Sequence, residues 1–407
     1  MTPPRHVVAF AIPAHGHVSR MLPIVAGLRE RGISVDFFAH EMSRRAVEMT
    51  GARFVDLYDG RDMDVPDDTS MPLPLRNVSF AGHWADDVLR QVVPLRPALI
   101  LHDTFAVIGR AIAFHLGLPR VNVRAGHNME PTRAIATLGT RGEVHVADAC
   151  HAAVATLRER HGIRDASPMS FFVDHDADLN ICAEPPEFLS PAARAAFAPL
   201  ECFGSYWTGR DLAASTSQPF GAEAHSRIRV FAALGTAAMM MMPERALTVL
   251  SVIADALGSY PNTTGLMAVG SRLVPPEAIE RLRRPTVVVE PFVDQIAALR
   301  QASVFVTHHG LNSTHEAIVH GVPMISCPLF GDQPGMAEDC QRFGLAVPVE
   351  QRGPAGLPTV DGVHRALDTV LKDDGYAARV SSAREWELAV MAQRPRVLQR
   401  IVDLMAG

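Results

Sequence analysis

The sequence is poor in cysteine, in lysine and in long apolar runs, and each shortage excludes a class of protein. Its five cysteines are odd in number, widely spaced and without a C-x-x-C pair, so they predict neither a disulfide framework nor a zinc site. Lys372 is the only lysine, and the net charge of -6 gives no basic field for nucleic acid or an anionic membrane. No apolar stretch has the length of a membrane-spanning helix, and the run Val7–Ile12 is too short for a signal peptide. We therefore expect reduced thiols and a cytoplasmic protein that binds neither nucleic acid nor membrane.

The length and the order of apolar segments predict two domains of the α/β class. A chain of 407 residues exceeds what one hydrophobic core usually serves, and its 48% apolar content suits a globular protein. The run Val7–Ile12 is typical of a strand buried on both faces of a parallel sheet. Apolar residues then recur at helical spacing from Met21 to Leu28, Gly32 ends that helix, and a second strand follows at Ile33–Phe38. This succession is a βαβ unit.

The same succession begins again in the second half of the chain. A strand at Ile228–Leu234, a helix from about Pro243 to Leu257 and a strand at Leu266–Val269 form another βαβ unit. The segment between the halves is rich in Ser, Thr and Gly, as interdomain linkers often are. We predict a Rossmann-like domain over 1–205, a linker over 206–222, a second Rossmann-like domain over 223–380, and a helical tail over 381–407 that packs back on the first domain.

Neither half carries a glycine motif that would name its ligand. A G-x-G-x-x-G pattern is missing after the first strand of each half, which disfavours a nicotinamide or flavin dehydrogenase, and the Walker A pattern is missing too. Because doubly wound folds host many chemistries, the function has to be inferred from other residues.

One segment of the second half combines a strand, a glycine-containing turn and a helix start. The strand Ser303–Thr307 leads into the stretch His308–Glu316. Backbone N–H groups and the helix dipole at such a place favour negative charge, which suits a diphosphate. His308 and the N–H groups near Asn312 and Ser313 are candidates to hold that diphosphate without a metal.

This segment, with Pro291–Gln295 before it and Gly321–Pro323 and Pro328–Gln333 after it, closely resembles the C-terminal signature of glycosyltransferase family 1 over about forty positions. That family includes bacterial macrolide and natural-product glycosyltransferases, plant secondary-product glycosyltransferases and animal glucuronosyltransferases. The resemblance implies the α/β GT-B fold, in which two Rossmann-like βαβ domains face each other across a cleft. It also implies that the first domain binds the acceptor and the second the nucleotide-sugar donor.

The resemblance implies a role for each residue of the donor site. Phe292 takes the place that stacks on the base, and Val293 and Gln295 take places that contact it. His308 would bind phosphate, and Glu316 the ribose hydroxyls. The other donor-site candidates are Gly235, Thr236, Gly310, Asn312 and Ser313, together with Asp332 and Gln333 at the hydroxyls of the sugar. By the same resemblance, the Asp-Gln pair implies a glucose-like sugar, and a UDP-sugar is favoured over a TDP-sugar.

Ordinary structural roles remain open for the same residues. The run from Ser313 to Glu316 is an S-x-x-E capping box, so Glu316 could satisfy a backbone donor at a helix start. His308 and His309 could be polar loop residues. We nevertheless expect the donor site, because the whole set of residues matches the family signature at the same spacing.

A catalytic base is predicted in the first half of the chain. Transfer of a sugar to a hydroxyl needs a base beside the acceptor, and histidine titrates near neutral pH. His17 lies in the loop after the first strand, at the carboxyl end of a parallel sheet, and it matches the family's catalytic histidine. Asp103 follows the strand Leu99–Leu101 at the same edge and is the candidate to fix the tautomer of that histidine. His15 is a rival base, and Asp103 could instead cap a turn.

The resemblance further implies a single in-line displacement with inversion and no covalent sugar intermediate. Two D-x-D spacings, Asp62–Asp64 and Asp176–Asp178, are of a kind that binds metals elsewhere, but neither lies in the donor segment. We interpret them as solvated acidic runs. The expectation is a nucleotide sugar as co-substrate, with no essential metal and no cofactor.

The acceptor pocket is expected from irregular segments of the first domain, 59–84 and 126–146. Phe80, Trp84 and Met240 are candidates to line it, although the methionines of Met239–Met242 could be ordinary helix and core residues. The family expectation is a small hydrophobic or aromatic natural product as acceptor, and a monomer or homodimer.

Two other functions remain open: a catalytically silent homologue that activates another enzyme, and a nucleotide-sugar epimerase.

Overall fold

The computed structural model describes residues 6–63, 71, 73–128, 145–170, 176–204, 219–221, 228–270, 274–352 and 356–406. The chain divides into two compact units, the first formed by Met1–Ser205 with Val390–Gly407 and the second by Tyr206–Ala389. The predicted linker 206–222 lies outside the described residues except for 219–221.

A parallel sheet runs through the first unit. Its described strands are β1 (His6–Phe10), β2 (Ser34–Ala39), β3 (Arg53–Asp56), β4 (Leu99–Asp103), β5 (Arg120–Val123), β6 (Leu179–Cys182) and β7 (Leu200–Cys202). They follow the order β3-β2-β1-β4-β5-β6-β7, and each neighbouring pair is parallel. Residues 7–10 and 99–101 are fully buried, which explains why these parts of β1 and β4 are continuously apolar rather than alternating in polarity.

Helices follow the strands of the first unit. They are α1 (His15–Glu30), α2 (Arg44–Glu48), α3 (Leu73–Val92), α4 (Val107–Leu116), α5 (Asp148–Glu159) and α6 (Pro191–Ala196), with short 3₁₀ turns at Glu41–Ser43, Val93–Leu95 and Pro186–Phe188. The apolar faces of α3, α4 and α5 pack on β1 and β4 in one core, to which Phe10, Val88, Ile100, Ile112 and Leu157 contribute.

The strand order of the first sheet reverses between β1 and β4. From β1 the chain proceeds to β2 and β3 on one side, and from β4 to β5, β6 and β7 on the other. Phe10 pairs with His102, so the last residue of β1 and the end of β4 lie side by side. Doubly wound sheets bind ligands at such a switch point, outside the carboxyl ends of the strands.

The second unit has its own parallel sheet. Its described strands are β8 (Ile228–Ala233), β9 (Thr263–Ala268), β10 (Val287–Glu290), β11 (Val304–Thr307), β12 (Met324–Ser326) and β13 (Ala346–Pro348), in the order β10-β9-β8-β11-β12-β13. A small antiparallel pair is formed by β14 (Gln351–Arg352) and β15 (Leu357–Pro358). The order reverses between β8 and β11, which gives this unit a switch point of the same kind.

The helices of the second unit are α7 (Gly235–Met241), α8 (Pro243–Ser259), α9 (Pro276–Leu282), α10 (Gln295–Leu299), α11 (Leu311–Val319), α12 (Gln333–Arg342) and α13 (Val360–Lys372). Its core joins the central strands to α8 and α13 through residues such as Val230, Leu250, Val306 and Leu367. Each unit therefore has a hydrophobic core of its own.

The predicted tail belongs to a longer helix, α14 (Gly375–Leu404). Its last part contacts the first unit. The guanidinium of Arg396 pairs with the carboxylate of Glu201 at 2.9 Å, and Nε of Arg394 donates to the carbonyl of Phe203 at 2.8 Å. Leu398 packs so closely on Gly27 that a Cβ there would lie 2.5 Å from its side chain.

The structure also bears on membrane-spanning helices and on disulfide bonds. In the described parts of the chain, no helix is both long enough and apolar enough to cross a membrane. All five cysteines are free thiols.

Candidate active site

His17 lies in the first turn of α1, just after β1. The predicted loop position is wrong, because the helix begins at His15. Ala14 is extended, and its carbonyl accepts the N–H of His17 at 3.0 Å and that of Val18 at 3.2 Å. The imidazole is therefore carried by a regular helix at the carboxyl edge of the sheet.

Asp103, the last residue of β4, lies beside His17 at the switch point of the first sheet. Nδ1 of His17 is 2.9 Å from each carboxylate oxygen. The carboxylate is fully buried, whereas the imidazole is 18% exposed. A carboxylate can only accept, so Nδ1 carries the proton and Nε2 keeps a lone pair. This arrangement can act as a general base whose tautomer is fixed by a buried acid.

Asp103 is ionised although it is buried. Burial favours the neutral acid, but the His17 imidazole, the Arg20 guanidinium and the backbone N–H of Phe105 favour the carboxylate and lower the pKa of Asp103 below its ordinary value. An ionised carboxylate can stabilise the imidazolium that forms when His17 takes up a proton. His15, the rival base, has an exposed side chain.

Aromatic side chains lie next to this pair. The ring centroid of Phe105 is 4.9 Å from that of His17, and Tyr58 packs on Phe80 at 5.0 Å. Tyr58, Phe80 and Phe105 border a small cavity of about 10 Å³. Burial, and secondarily the charge of Asp103, raises the pKa of Tyr58, so its phenol stays protonated.

The candidates for the acceptor wall have different surroundings. Phe80 is 2% exposed and borders the cavity beside the His17 pair. Trp84 is half-buried, and its Nε1 donates to the carbonyl of Asp62 at 3.2 Å. Met240 is 60% exposed on α7. Residues 64–70, 72 and 129–144 of the predicted acceptor segments lie outside the described residues.

In the second unit, α11 begins at Leu311 with Gly310 as its N-cap residue. Ser313 and Glu316 are therefore inside the helix, and the capping-box interpretation of these two residues is wrong. The first turn of a helix presents N–H groups that have no partner within the helix, and the helix dipole there is positive. The start of α11 is suited to an anion.

His308 is held between two glycines at the switch point of the second sheet. It follows β11, and Gly235 begins α7 after β8. A Cβ at Gly235 would lie 2.5 Å from Nε2 of His308, and a Cβ at Gly310 would lie 2.4 Å from it. Since both distances are well below van der Waals contact, only glycine fits at either position without moving the ring.

The imidazole of His308 is neutral at physiological pH. Burial lowers the pKa of His308 from 6.5 to about 4, against smaller opposing effects of the Ala233 carbonyl and the Asp332 carboxylate. A neutral imidazole can donate one N–H to a phosphate oxygen without bringing a positive charge. The charge complementarity at this site would come from the start of α11.

Two residues predicted to contact different parts of the nucleotide hydrogen-bond to each other. Nε2 of Gln295 donates to Oε2 of Glu316 at 2.6 Å and to Oγ of Ser313 at 3.2 Å. Glu316 is 2% exposed, so this contact fixes its carboxylate against α10. Phe292 is 48% exposed and Val293 is half-buried, so both side chains reach the surface of the unit.

The predicted sugar contacts lie at the start of α12. Asp332 is its N-cap residue, and its charge acts on His308. Oε1 of Gln333 accepts the N–H groups of Leu329 at 2.9 Å and Phe330 at 3.2 Å, so this side chain braces the preceding loop. Only the NH₂ group of Gln333 can then donate to a sugar hydroxyl. Thr236, another candidate, is half-buried in the first turn of α7.

Sequence reasoning gave His309 no functional role, yet it shapes the donor turn. Its backbone is left-handed, with φ 60, and its side chain is buried. Nδ1 lies 3.2 Å from Oγ1 of Thr314, and Nε2 lies 2.8 Å from Oγ of Ser326. These contacts fasten α11 to the end of β12. The His-His-Gly run was a visible signal, but the doublet alone does not say which imidazole is structural. Arg20 was missed as well, since a single arginine among apolar helix positions carries no motif.

Comparisons with known proteins give independent information on this chain. Residues 212–383 match the model of a family described as UDP-glucoronosyl and UDP-glucosyl transferase. The oleandomycin glycosyltransferase of Streptomyces antibioticus is 28% identical over 364 residues, which cover 85% of this chain and 79% of that protein.

Solved structures with similar folds extend over nearly the whole chain. The crystal structure of the glycotransferase of kitacinnamycin has a TM-score of 0.78 at 21% identity and covers 99% of this chain and 100% of its own. The spinosyn rhamnosyltransferase complexed with thymidine diphosphate has a TM-score of 0.67 at 20% identity. The match covers 97% of this chain and 100% of that one. At these identities the likeness shows the fold.

The two parallel-sheet units and these matches define a nucleotide-sugar-dependent glycosyltransferase with the GT-B fold. Within that class, the chain is similar to members of glycosyltransferase family 1. The predicted family resemblance, fold class and enzyme class are confirmed.

Proposed function

We propose that this enzyme transfers a sugar, with inversion and without an essential metal, from a nucleoside diphosphate to a hydroxyl of a small hydrophobic or aromatic natural product. One observation carries the proposal: Nδ1 of His17 lies 2.9 Å from both carboxylate oxygens of Asp103. The contact leaves Nε2 as the basic nitrogen, and the partial exposure of the ring lets an acceptor reach it.

In the proposed step, Nε2 of His17 takes the proton of the acceptor hydroxyl while the hydroxyl oxygen forms a bond to the anomeric carbon. The bond between that carbon and the diphosphate oxygen breaks, and its electron pair leaves with the nucleoside diphosphate. Attack opposite the leaving group inverts the anomeric configuration, so an α-linked donor gives a β-glycoside. Asp103 stabilises the imidazolium, and no carboxylate nucleophile is required.

The diphosphate is proposed to bind at the start of α11, with His308 as an N–H donor. Gly310, Asn312 and Ser313 form that helix start, and Gly235 and Thr236 begin α7 on the other side of the His308 ring. The positive end of α11 would carry the charge complementarity that a metal supplies elsewhere.

The D-x-D run at Asp176–Asp178 has other partners. Asp176 accepts from Arg110 at 3.2 Å and also pairs with Arg120, and Asp178 accepts the backbone N–H of Arg120 at 2.8 Å. These contacts give the run a structural role in place of the solvated acidic run expected from the sequence.

For the remainder of the donor, we propose that Phe292 stacks on the base, with Val293 and Gln295 beside it, and that Glu316 accepts from the ribose hydroxyls. Asp332 and the NH₂ of Gln333 would bind a glucose-like sugar. A UDP-sugar is the favoured donor, and the thymidine diphosphate in the similar spinosyn structure supports a TDP-sugar as the alternative. The names oleandomycin, kitacinnamycin and spinosyn support a natural-product acceptor.

The test is mass spectrometry of products from the purified protein with UDP- and TDP-sugars and a library of phenols and macrolides. We expect one glycoside and one nucleoside diphosphate per turnover, and an unchanged rate in chelator. Inversion of an α-linked, glucose-like donor should give a β-glycoside, whose anomeric proton is axial by NMR; an equatorial anomeric proton would show retention. His17→Ala should lower turnover by roughly 10²–10⁴-fold while donor binding persists. An epimerase would alter the sugar without acceptor, and a silent homologue would give no product with any pair.

A further inference from the structure

Arg20 is a buried cation on α1, in the turn that follows His17. Arg20 is only 6% exposed. Nε donates to the carbonyl of Gly16 at 3.1 Å, and Nη1 donates to the carbonyl of Arg124 at 3.0 Å. A charged group is costly to bury, so its position calls for a compensating interaction.

The sheet topology shows what this side chain crosses. Helix α1 follows β1, and Arg124 follows β5. Strand β4 lies between β1 and β5 in the sheet, and it ends at Asp103. A side chain that reaches from α1 to the carbonyl of Arg124 therefore passes over the carboxyl end of β4. The charge of this guanidinium acts on the buried carboxylate of Asp103, whose ionised form it favours.

We propose that Arg20 is a positioning residue for the sugar transfer, which clamps the first turn of α1 to the end of β5 and keeps a fixed positive charge next to the His17–Asp103 pair. The inference rests on the proposed function, in which His17 is the base. The clamp acts through Gly16, the residue before His17, and so holds the imidazole against the carboxylate. The fixed charge repels the positive charge that the imidazole acquires when Nε2 takes a proton, so replacing Arg20 by a neutral residue should favour the imidazolium.

The charged and titratable groups around the pair come from several elements. His17 and Arg20 lie on α1, Asp103 ends β4, and Tyr58 lies in the loop after β3. Arg124 follows β5, and its guanidinium stacks on the ring of Phe197 at 3.3 Å. The raised pKa of Tyr58 keeps its phenol neutral, and both arginines keep their charge.

The test compares the pH dependence of kcat/KM for Arg20→Gln, which removes the charge but keeps N–H donors, with that for Arg20→Lys, which keeps the charge. For Arg20→Gln we expect the acid limb of the kcat/KM profile, where activity rises with pH, to move to higher pH by about one unit. A shift of this size is in the range that loss of a neighbouring charge produces. Activity should recover largely at higher pH. For Arg20→Lys the limb should stay where it is in the unmodified enzyme, with a lower plateau because one ammonium does not reproduce the two-carbonyl clamp.

Arg31→Gln is the matched control. Arg31 also lies next to α1 and donates to the carbonyl four residues earlier, that of Gly27 at 3.0 Å, but it is exposed. The Arg31→Gln variant should leave both the acid limb and the plateau of the pH profile of kcat/KM unchanged. Thermal unfolding of each variant reports whether it folds.

A wild-type acid limb in Arg20→Gln, whatever its plateau, would reduce Arg20 to a structural residue and overturn the inference. Equal limb shifts in the Gln and Lys variants would do the same, because charge would then not be the cause. His17→Ala separates this failure from that of the proposed function. If His17→Ala stays active, the base assignment is wrong; if it is inactive while Arg20→Gln keeps the wild-type limb, only the role of Arg20 is wrong.

Discussion

Replacing Gly310 by alanine tests the donor site with a single methyl group. The new Cβ would lie 2.4 Å from Nε2 of His308, about 1 Å inside ordinary van der Waals contact. The backbone of Gly310 has φ -62, which alanine adopts without strain. The substitution therefore acts on the imidazole and not on the backbone, and the ring has to retreat by about 1 Å.

A retreat of that size would break the proposed hydrogen bond from the imidazole N–H to a phosphate oxygen. Hydrogen bonds to charged groups contribute about 1.5–3 kcal/mol, so the affinity for a nucleoside diphosphate should fall roughly 10- to 150-fold. Isothermal titration with UDP and with TDP measures this loss. His308→Ala should show a similar loss, and the double variant should lose no more than either single one, because both act through the same ring.

Two further glycine variants separate steric from backbone effects. Gly321 has φ +70 and nothing within 4 Å of its Cβ position, so Gly321→Ala should lower the melting temperature while leaving donor affinity intact. Gly235 has φ +77 as well as the contact with His308, so Gly235→Ala should lower both. Wild-type affinity in Gly310→Ala, with Gly321→Ala behaving as expected, would refute the contact between His308 and the diphosphate.

Three other substitutions or conditions have definite expected outcomes. Asp103→Asn should cut turnover with little change in melting temperature, because an amide still accepts from Nδ1 of His17 but does not stabilise an imidazolium; unfolding would make Asp103 structural. Glu316→Gln should lower donor affinity by about tenfold at unchanged stability, since an amide oxygen can still accept from Gln295; unchanged affinity would remove Glu316 from the ribose site. The unfolded chain binds a proton at His308 below about pH 6.5 and the folded chain only near pH 4, so stability should fall as pH drops through that window, by about 2 kcal/mol at pH 5. Denaturant unfolding at pH 7.5 and pH 5 should show this loss in the free energy of unfolding, and His308→Gln should remove the contribution of His308 to the loss.

The parts of the fold that follow from local pattern were predictable. The run Val7–Ile12 and the helical spacing up to Leu28 predict β1 and α1 because strands buried on both faces are continuously apolar. The pairing of His17 with Asp103 was also within reach, because two residues that follow neighbouring parallel strands meet at one edge.

Local pattern failed where tertiary packing sets the helix ends. Ser313 to Glu316 fits a capping box, yet α11 begins at Leu311 because that side chain is buried, which extends the helix toward Gly310. The contact between Gln295 and Glu316 depends on how α10 and α11 pack, and no spacing in the sequence encodes that. The role of His309 is likewise visible only once Ser326 lies beside it.

Each unit places a histidine at the switch point of its sheet, and the two histidines have different surroundings. At the first switch point, a buried carboxylate holds the proton on Nδ1 of His17, which leaves the exposed side of the ring basic. At the second, burial between two glycines is the largest influence on His308 and keeps it neutral down to about pH 4. In the proposed reaction the first ring accepts a proton at Nε2, whereas the second stays neutral across the working pH range and offers one N–H to the phosphate. The difference between base and ligand arises from what surrounds each imidazole, a carboxylate in one case and two Cα atoms without side chains in the other.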